Sequence, residues 1–136
     1  MMRKVLTSRA SLWRLHNSRF LSLSKQSRVK LIRSDDAYSQ ITTEGTGQKT
    51  IVYFMAKWCP PCKMISPIYD ELSTKHEDIE FAKLDVDELN DTASKAGVRS
   101  MPTFFYFKNG KFQQSLSFSG ADEEILRKNA KQLSDL

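Results

Sequence analysis

Thr50-Ile51-Val52-Tyr53-Phe54-Met55-Ala56-Lys57-Trp58-Cys59-Pro60-Pro61-Cys62-Lys63-Met64-Ile65 is the stretch that decides how this chain is read. Its first six residues are β-branched, aromatic or apolar without polar alternation, the pattern of a strand buried on both faces. The pattern breaks at Trp58–Pro61 and resumes with a helical period that puts Met64, Ile65, Ile68 and Leu72 on one face. Pro60 and Pro61 suit the first positions of that helix, where a missing N–H costs nothing. Pro67 falls inside the run and predicts a kink. A strand, a break and a helix start thus bring both cysteines of the chain to one helix end.

Outward from this stretch the pattern continues. Val29-Lys30-Leu31-Ile32 alternates as a short first strand, and Ser34 or Asp35 can cap a helix through about Glu44, closed by Gly45 and Gly47. On the other side Ile79–Leu84 reads as a strand, Glu88–Ala96 as a helix closed by Gly97. Thr103–Phe107 carries the densest β signal, and Lys108-Asn109-Gly110 turns it back into a strand over Phe112–Phe118. Asp122 to Leu133 closes as an amphipathic helix. Strands and helices alternate and a hairpin and helix follow, which predicts an α/β domain with a mixed central sheet and helices on both faces.

The 136 residues fit one domain plus an appendage. Nine of the 21 basic residues and none of the 16 acidic ones lie in residues 1–34, leaving 12 basic against 16 acidic residues beyond. A basic arm therefore precedes a mildly acidic body. Arg-rich, Ser-rich and acid-free composition marks an organelle transit peptide. Val5, Leu6, Leu12, Trp13, Leu15 and Phe20 add an apolar stripe suited to an acidic receptor or membrane surface. A nucleic-acid arm needs the charge without this stripe, and a secretory signal needs roughly 7–15 unbroken apolar residues, which Arg and Ser interrupt here. No run approaches the roughly 18 apolar residues of a membrane span. Residues 1–27 are expected to be a cleaved transit peptide read by import machinery, and residues 28–136 the functional domain, without nucleic acid as a partner. The expected address is the mitochondrial matrix, ahead of the plastid.

Two cysteines three positions apart cannot staple distant segments, so catalysis or metal binding remains. At this spacing the two sulfurs can meet across the first turn of a helix. The free N–H groups and positive helix end favour a thiolate, the form that attacks disulfides. Cys59 would form a mixed disulfide with a substrate, and Cys62 would attack Cys59 and release the reduced substrate. The competing use of Cys-x-x-Cys is half a zinc site, which needs four ligands; the body adds only His76 as a further Cys or His. An iron–sulfur cluster bridging two chains needs only two cysteines from each.

In order along the chain stand Ile51-Val52-Tyr53-Phe54, Ala56–Pro67, Lys83-Leu84-Asp85-Val86-Asp87, Gly97-Val98-Arg99-Ser100-Met101-Pro102-Thr103, Lys108-Asn109-Gly110 and Ser119-Gly120-Ala121. With these segments at their spacing, the body resembles a thioredoxin. The resemblance implies the thioredoxin fold and a protein disulfide reductase needing no bound cofactor and no metal. Its partners would be target proteins with reducible disulfides and an NADPH-dependent thioredoxin reductase that recycles it, and a monomer is expected. It implies Cys59 as nucleophile and Cys62 as resolving thiol. Pro102 would be a cis-proline facing them, with the Met101 backbone pairing with a substrate strand; a plain strand-initiating proline is the alternative. Trp58, Pro60, Pro61 and Gly120 would border the bound substrate. Trp58 taken alone suits a core, and Gly120 an ordinary helix entry.

Two departures from the family pattern matter. Pro60 stands where glycine is common and should shift the reduction potential. Tyr53 stands where the family usually keeps a buried aspartate thought to move the proton of the resolving thiol, with a lysine at the position of Lys83 beside it. A phenol with an ordinary pKa near about 10 is a poor base, so Cys62 is expected to lose its proton to water or to the departing Cys59 thiolate. Tyr53-Phe54 and the basic arm together resemble plant mitochondrial o-type thioredoxins. The alternatives are a glutathione-coupled glutaredoxin-like protein, which Trp58 and Met101 disfavour, and a binding module or bridged iron–sulfur dimer.

Overall fold

A computed structural model describes residues 25–136; the expected transit peptide lies almost wholly outside them. The elements run β1 (Lys30–Leu31), α1 (Asp35–Thr42), β2 (Lys49–Met55), α2 (Pro60–Lys75), β3 (Ile79–Asp85), α3 (Asn90–Lys95), β4 (Thr103–Lys108), β5 (Lys111–Phe112), β6 (Phe118–Ser119) and α4 (Glu123–Asp135). The sheet order is β1-β3-β2-β4-β5, with β6 also paired to β4. β1 and β2 run parallel to β3, whereas β4 runs antiparallel to β2. This is the expected mixed sheet.

β2 lies at its centre because its residues tolerate burial on both faces. Ile51, Val52, Tyr53 and Phe54 are all essentially inaccessible. Alternate side chains serve opposite layers. Tyr53 packs edge-on against Tyr69 of α2, and Phe54 against Tyr38 of α1. Ser34 caps α1 through its hydroxyl, which accepts from the Ala37 N–H. The Thr92 hydroxyl of α3 donates to Asp35 of α1 at 2.8 Å, and α2 packs against α4.

Two expectations change. The inward stripe of α2 is Cys62, Ile65, Tyr69 and Leu72, spaced three and four apart along one face. Ile68 is half-buried and Met64 is 75% exposed, because the stripe that includes Cys62 turns Met64 toward solvent. The helix runs from Pro60 to Lys75 with Pro67 inside it. Second, Phe112–Phe118 is not one strand. After β5 the chain turns at polar Gln113-Gln114-Ser115, with the N–H groups of Leu116 and Ser117 donating to the Gln113 carbonyl. Leu116 swings into the core and its carbonyl accepts from Asn129 Nδ2 at 2.7 Å. The chain rejoins β4 only at β6.

The β4–β5 turn is a two-residue loop with Asn109 at φ 54° and Gly110 at φ 77°, the signature of a type I′ turn. Asn109 Oδ1 accepts from the N–H groups of Gly45 and Gly47, which ties the hairpin to the α1–β2 connection. A Cβ at Gly110 would overlap the Thr43 backbone, whereas one at Gly47, also left-handed, meets nothing nearby. Gly47→Ala should cost about 1 kcal/mol, and Gly110→Ala about 3 kcal/mol or more because overlap adds to backbone strain. Urea unfolding of both variants checks the difference.

Tyr69 and Tyr106 make a second pair. The buried Tyr69 hydroxyl lies 2.9 Å from the Ile51 carbonyl and 2.7 Å from that of Ala82, linking α2 to both central strands. The buried Tyr106 hydroxyl has no partner among the described residues. Tyr69→Phe should destabilise by about 1–2 kcal/mol, and Tyr106→Phe should be neutral or stabilising. Equal losses in denaturant titrations would refute this.

Candidate active site

The site is the junction of β2 and α2. Cys59 is the N-cap of α2, in extended backbone conformation, and Pro60 and Pro61 occupy the first two helical positions. Neither proline has an N–H, so the first helical donor near Cys59 Sγ is the Cys62 N–H, at 3.3 Å. The Cys59 carbonyl accepts from the Lys63 N–H. The two sulfurs are joined as a disulfide, with Cα atoms 5.2 Å apart. This is the geometry anticipated from the spacing. Cys59 and Cys62 are 3% and 1% exposed.

Met101–Pro102 is a cis peptide, and the Met101 carbonyl lies 3.7 Å from Cys59 Sγ. Three distant segments therefore meet: the α2 start, the Met101–Pro102 loop, and the β6–α4 connection, where the Gly120 N–H donates to the Pro102 carbonyl at 2.8 Å. Gly120 is exposed, with φ 110°, a conformation that favours glycine. Pro102 is buried, Met101 half-buried, and Pro60 and Pro61 exposed.

Trp58 is not a core residue: it is 63% exposed. Its indole N–H donates to Asp87 Oδ2 at 2.8 Å, and the Asp87 N–H donates in turn to Asp85 Oδ1. Lys57 pairs with Glu88 alongside, at 3.5 Å. The β3–α3 loop thus holds the aromatic face beside the dithiol. Sequence reasoning did not assign Asp87, although it lies in the quoted Lys83–Asp87 stretch; nothing in a linear sequence pairs it with Trp58.

Tyr53 lies directly below the dithiol, 1% exposed. Its hydroxyl is 2.9 Å from the Cys62 carbonyl and 3.0 Å from Ser66 Oγ, and Ser66 Oγ is 2.8 Å from the same carbonyl. Burial raises the Tyr53 pKa above its ordinary 10, the Ser66 hydrogen bond opposes this, and the Asp70 charge adds to it. The phenol is neutral at physiological pH. Lys83 is opposite Tyr53 in register and half-buried, and its ammonium makes no hydrogen bond or ion pair among the described residues. Ser66 was also unassigned from sequence; its position four residues after Cys62 is the spacing at which a serine reaches back to a helix carbonyl. Among the described residues no three His, Cys, Asp or Glu side chains converge as a metal-binding group.

The thioredoxin family model matches residues 29–132. The chain belongs to the thioredoxin family. It is 40% identical to human thioredoxin over 105 residues, covering 77% of this chain and 98% of that protein. Thioredoxin of Callithrix jacchus is 43% identical over 98 residues, 72% of this chain and 91% of the relative. Among solved structures, thioredoxin NaTrxh of Nicotiana alata superimposes with a TM-score of 0.73 at 36% identity, covering 80% and 95% of the two chains. Oxidised thioredoxin O2 of Arabidopsis thaliana gives 0.71 at 30% identity, covering 79% and 96%. The chain is accordingly a thiol–disulfide oxidoreductase whose Cys59–Cys62 pair exchanges with disulfides of target proteins.

If Asp87 holds the Trp58 face for docking, Asp87→Ala loses about 1 kcal/mol. KM for a protein disulfide should then rise about fivefold while a small aromatic disulfide reacts at the parent rate. Steady-state kinetics with both substrates measures the split.

Proposed function

We propose that Cys59 is the attacking thiol, Cys62 the resolving thiol, and the protein an imported matrix thioredoxin of the o type, acting as a monomer. The placement of Cys59 carries the assignment of the thiols. It is the cap residue, its sulfur faces both the helix amino end and the Met101 carbonyl, and exposed Trp58, Pro60 and Pro61 surround it. Cys62 lies one turn inward, below it.

In the reducing direction the Cys59 thiolate attacks one sulfur of a target disulfide. A Cys59–target bond forms, and the other target sulfur leaves with the electron pair and takes up a proton. Cys62 then attacks Cys59, the intramolecular disulfide forms, and the second target sulfur leaves as a thiol. The target gains two electrons and the dithiol loses two. An NADPH-dependent thioredoxin reductase restores the dithiol. Extended target backbone would lie along Met101, beside Gly120, whose lack of a side chain leaves the approach open.

The address is supported by the acid-free basic arm in front of an acidic body. The subtype is supported by Tyr53 below the dithiol and by the likeness to Arabidopsis thioredoxin O2. A fluorescent fusion of residues 1–34 is expected in mitochondria; plastid or cytosolic fluorescence would refute the address without touching the chemistry.

Insulin reduction with NADPH and thioredoxin reductase tests the exchange itself. Cys59→Ser should abolish turnover, and Cys62→Ser should accumulate a covalent complex with the target that dithiothreitol releases. Turnover surviving in Cys59→Ser would overturn the assignment of the attacking thiol.

A further inference from the structure

Below the dithiol, three oxygen atoms form a closed triangle. The Tyr53 hydroxyl, the Ser66 hydroxyl and the Cys62 carbonyl lie 2.8–3.0 Å from one another. Two hydroxyl protons must serve three contacts. Both hydroxyls are placed to donate to the Cys62 carbonyl and either can donate to the other, so every arrangement keeps both protons within the triangle. The Tyr53 ring cannot swing away, since it stacks on Phe104 with centroids 4.9 Å apart and meets Tyr69 edge-on at 5.0 Å. A rigid phenol on β2 therefore grips the residue that carries the second thiol.

We infer that Tyr53 and Ser66 form a non-ionising clamp that positions Cys62, so that the second half of the exchange proceeds without a protein base. The inference rests on the assignment of Cys62 as the resolving thiol. The charged and titratable groups facing this point do not supply a base. Lys83 stands across from Tyr53 on β3, and Asp70 lies two turns further along α2. Tyr69 donates to the Ile51 and Ala82 carbonyls, and Tyr106 lies beyond it on β4. None of them hydrogen-bonds to Cys62. Burial holds the phenols of Tyr53, Tyr69 and Tyr106 protonated at physiological pH. The proton of Cys62 then leaves with the displaced target sulfur: Cys62–SH and the Cys59–S–S–target bond become the Cys59–Cys62 disulfide and a target thiol.

Both hydroxyls are positioning groups, and their deletion should divide the two halves of the reaction. Mixing the reduced protein with dithiobis-nitrobenzoate in single turnover releases one coloured thiolate on attack by Cys59 and a second on resolution by Cys62. This leaving thiolate stays unprotonated, so with this probe the Cys62 proton passes to water, still without a protein base. Tyr53→Phe keeps the ring stack and should leave the first phase within about twofold while slowing the second about three- to tenfold. Ser66→Ala, which alters no core ring, should slow the second phase about two- to fivefold and decides the matter should Tyr53→Phe fail to fold. Between about pH 5.5 and 9 the parent's second phase should show no inflection beyond those of the thiols themselves, because a buried carboxylic acid would titrate in that window. Two outcomes overturn the inference: unchanged second phases in the variants, or a parent inflection that disappears in Tyr53→Phe. Loss of both phases in Cys59→Ser is required by the exchange chemistry itself, so its absence would count against that chemistry and not the clamp.

Discussion

Everything at the site follows from where the first turn of α2 is set down on the sheet. A helix end offers unpaired N–H groups and a partial positive charge, and here that end stands over the carboxyl terminus of β2. Cys59 takes the cap and Cys62 the third helical position. Two hydrogen-bonded tyrosines fix this docking from below. Tyr69 binds backbone carbonyls of β2 and β3, and Tyr53 reaches up from β2 to the Cys62 carbonyl. The helix is thus held at both its first and its third turn by phenols that sacrifice no buried charge. A slip of the helix along the sheet would break both contacts and carry Cys59 away from Met101.

Pro60 and Pro61 sharpen the same constraint. They favour helix initiation and remove two backbone donors at the end where a thiolate would sit. The Cys62 N–H becomes the first helical donor to reach Cys59 Sγ, so the position of the resolving cysteine also governs the surroundings of the attacking one. This coupling is absent from the identities of the residues considered singly. It arises because the cap, two donor-free positions and the second cysteine are consecutive.

Much of this was legible in the sequence because it is local. The strand–break–helix pattern, the prolines at the helix start, and Gly97 and Asn109-Gly110 as punctuators all depend on neighbours a few residues away. Two readings failed where tertiary packing decided. Met64 fits the apolar period but faces solvent, because Tyr69, not Ile68, fills the inward face. The second hairpin arm breaks at Gln113–Ser115, where the chain turns on the Gln113 carbonyl and carries Leu116 into the core. Trp58, whose side chain alone would suit a core, stands exposed instead, tied by a hydrogen bond to Asp87 on another loop. Within the site, the dithiol could be named from its spacing and Pro102 from the family resemblance. Asp87 and Ser66 could not, since their roles depend on which atoms they reach.

Tyr53 shows most clearly what a substitution at a buried site can exchange. A carboxylate beneath the dithiol would supply a base but would also place an ionisable group in the core, where burial works against its charged form. A phenol fills the space between Phe104 and Tyr69 with favourable aromatic contacts and satisfies its hydroxyl on the Cys62 carbonyl. The resolving thiol gains a fixed position in place of a proton acceptor. An exchange reaction tolerates that trade because its leaving group is itself a sulfur anion: the displaced thiolate needs a proton at the moment Cys62 must give one up. Geometry can then do what a base would otherwise do, provided that Cys62 is held firmly enough to meet Cys59 as the target sulfur departs.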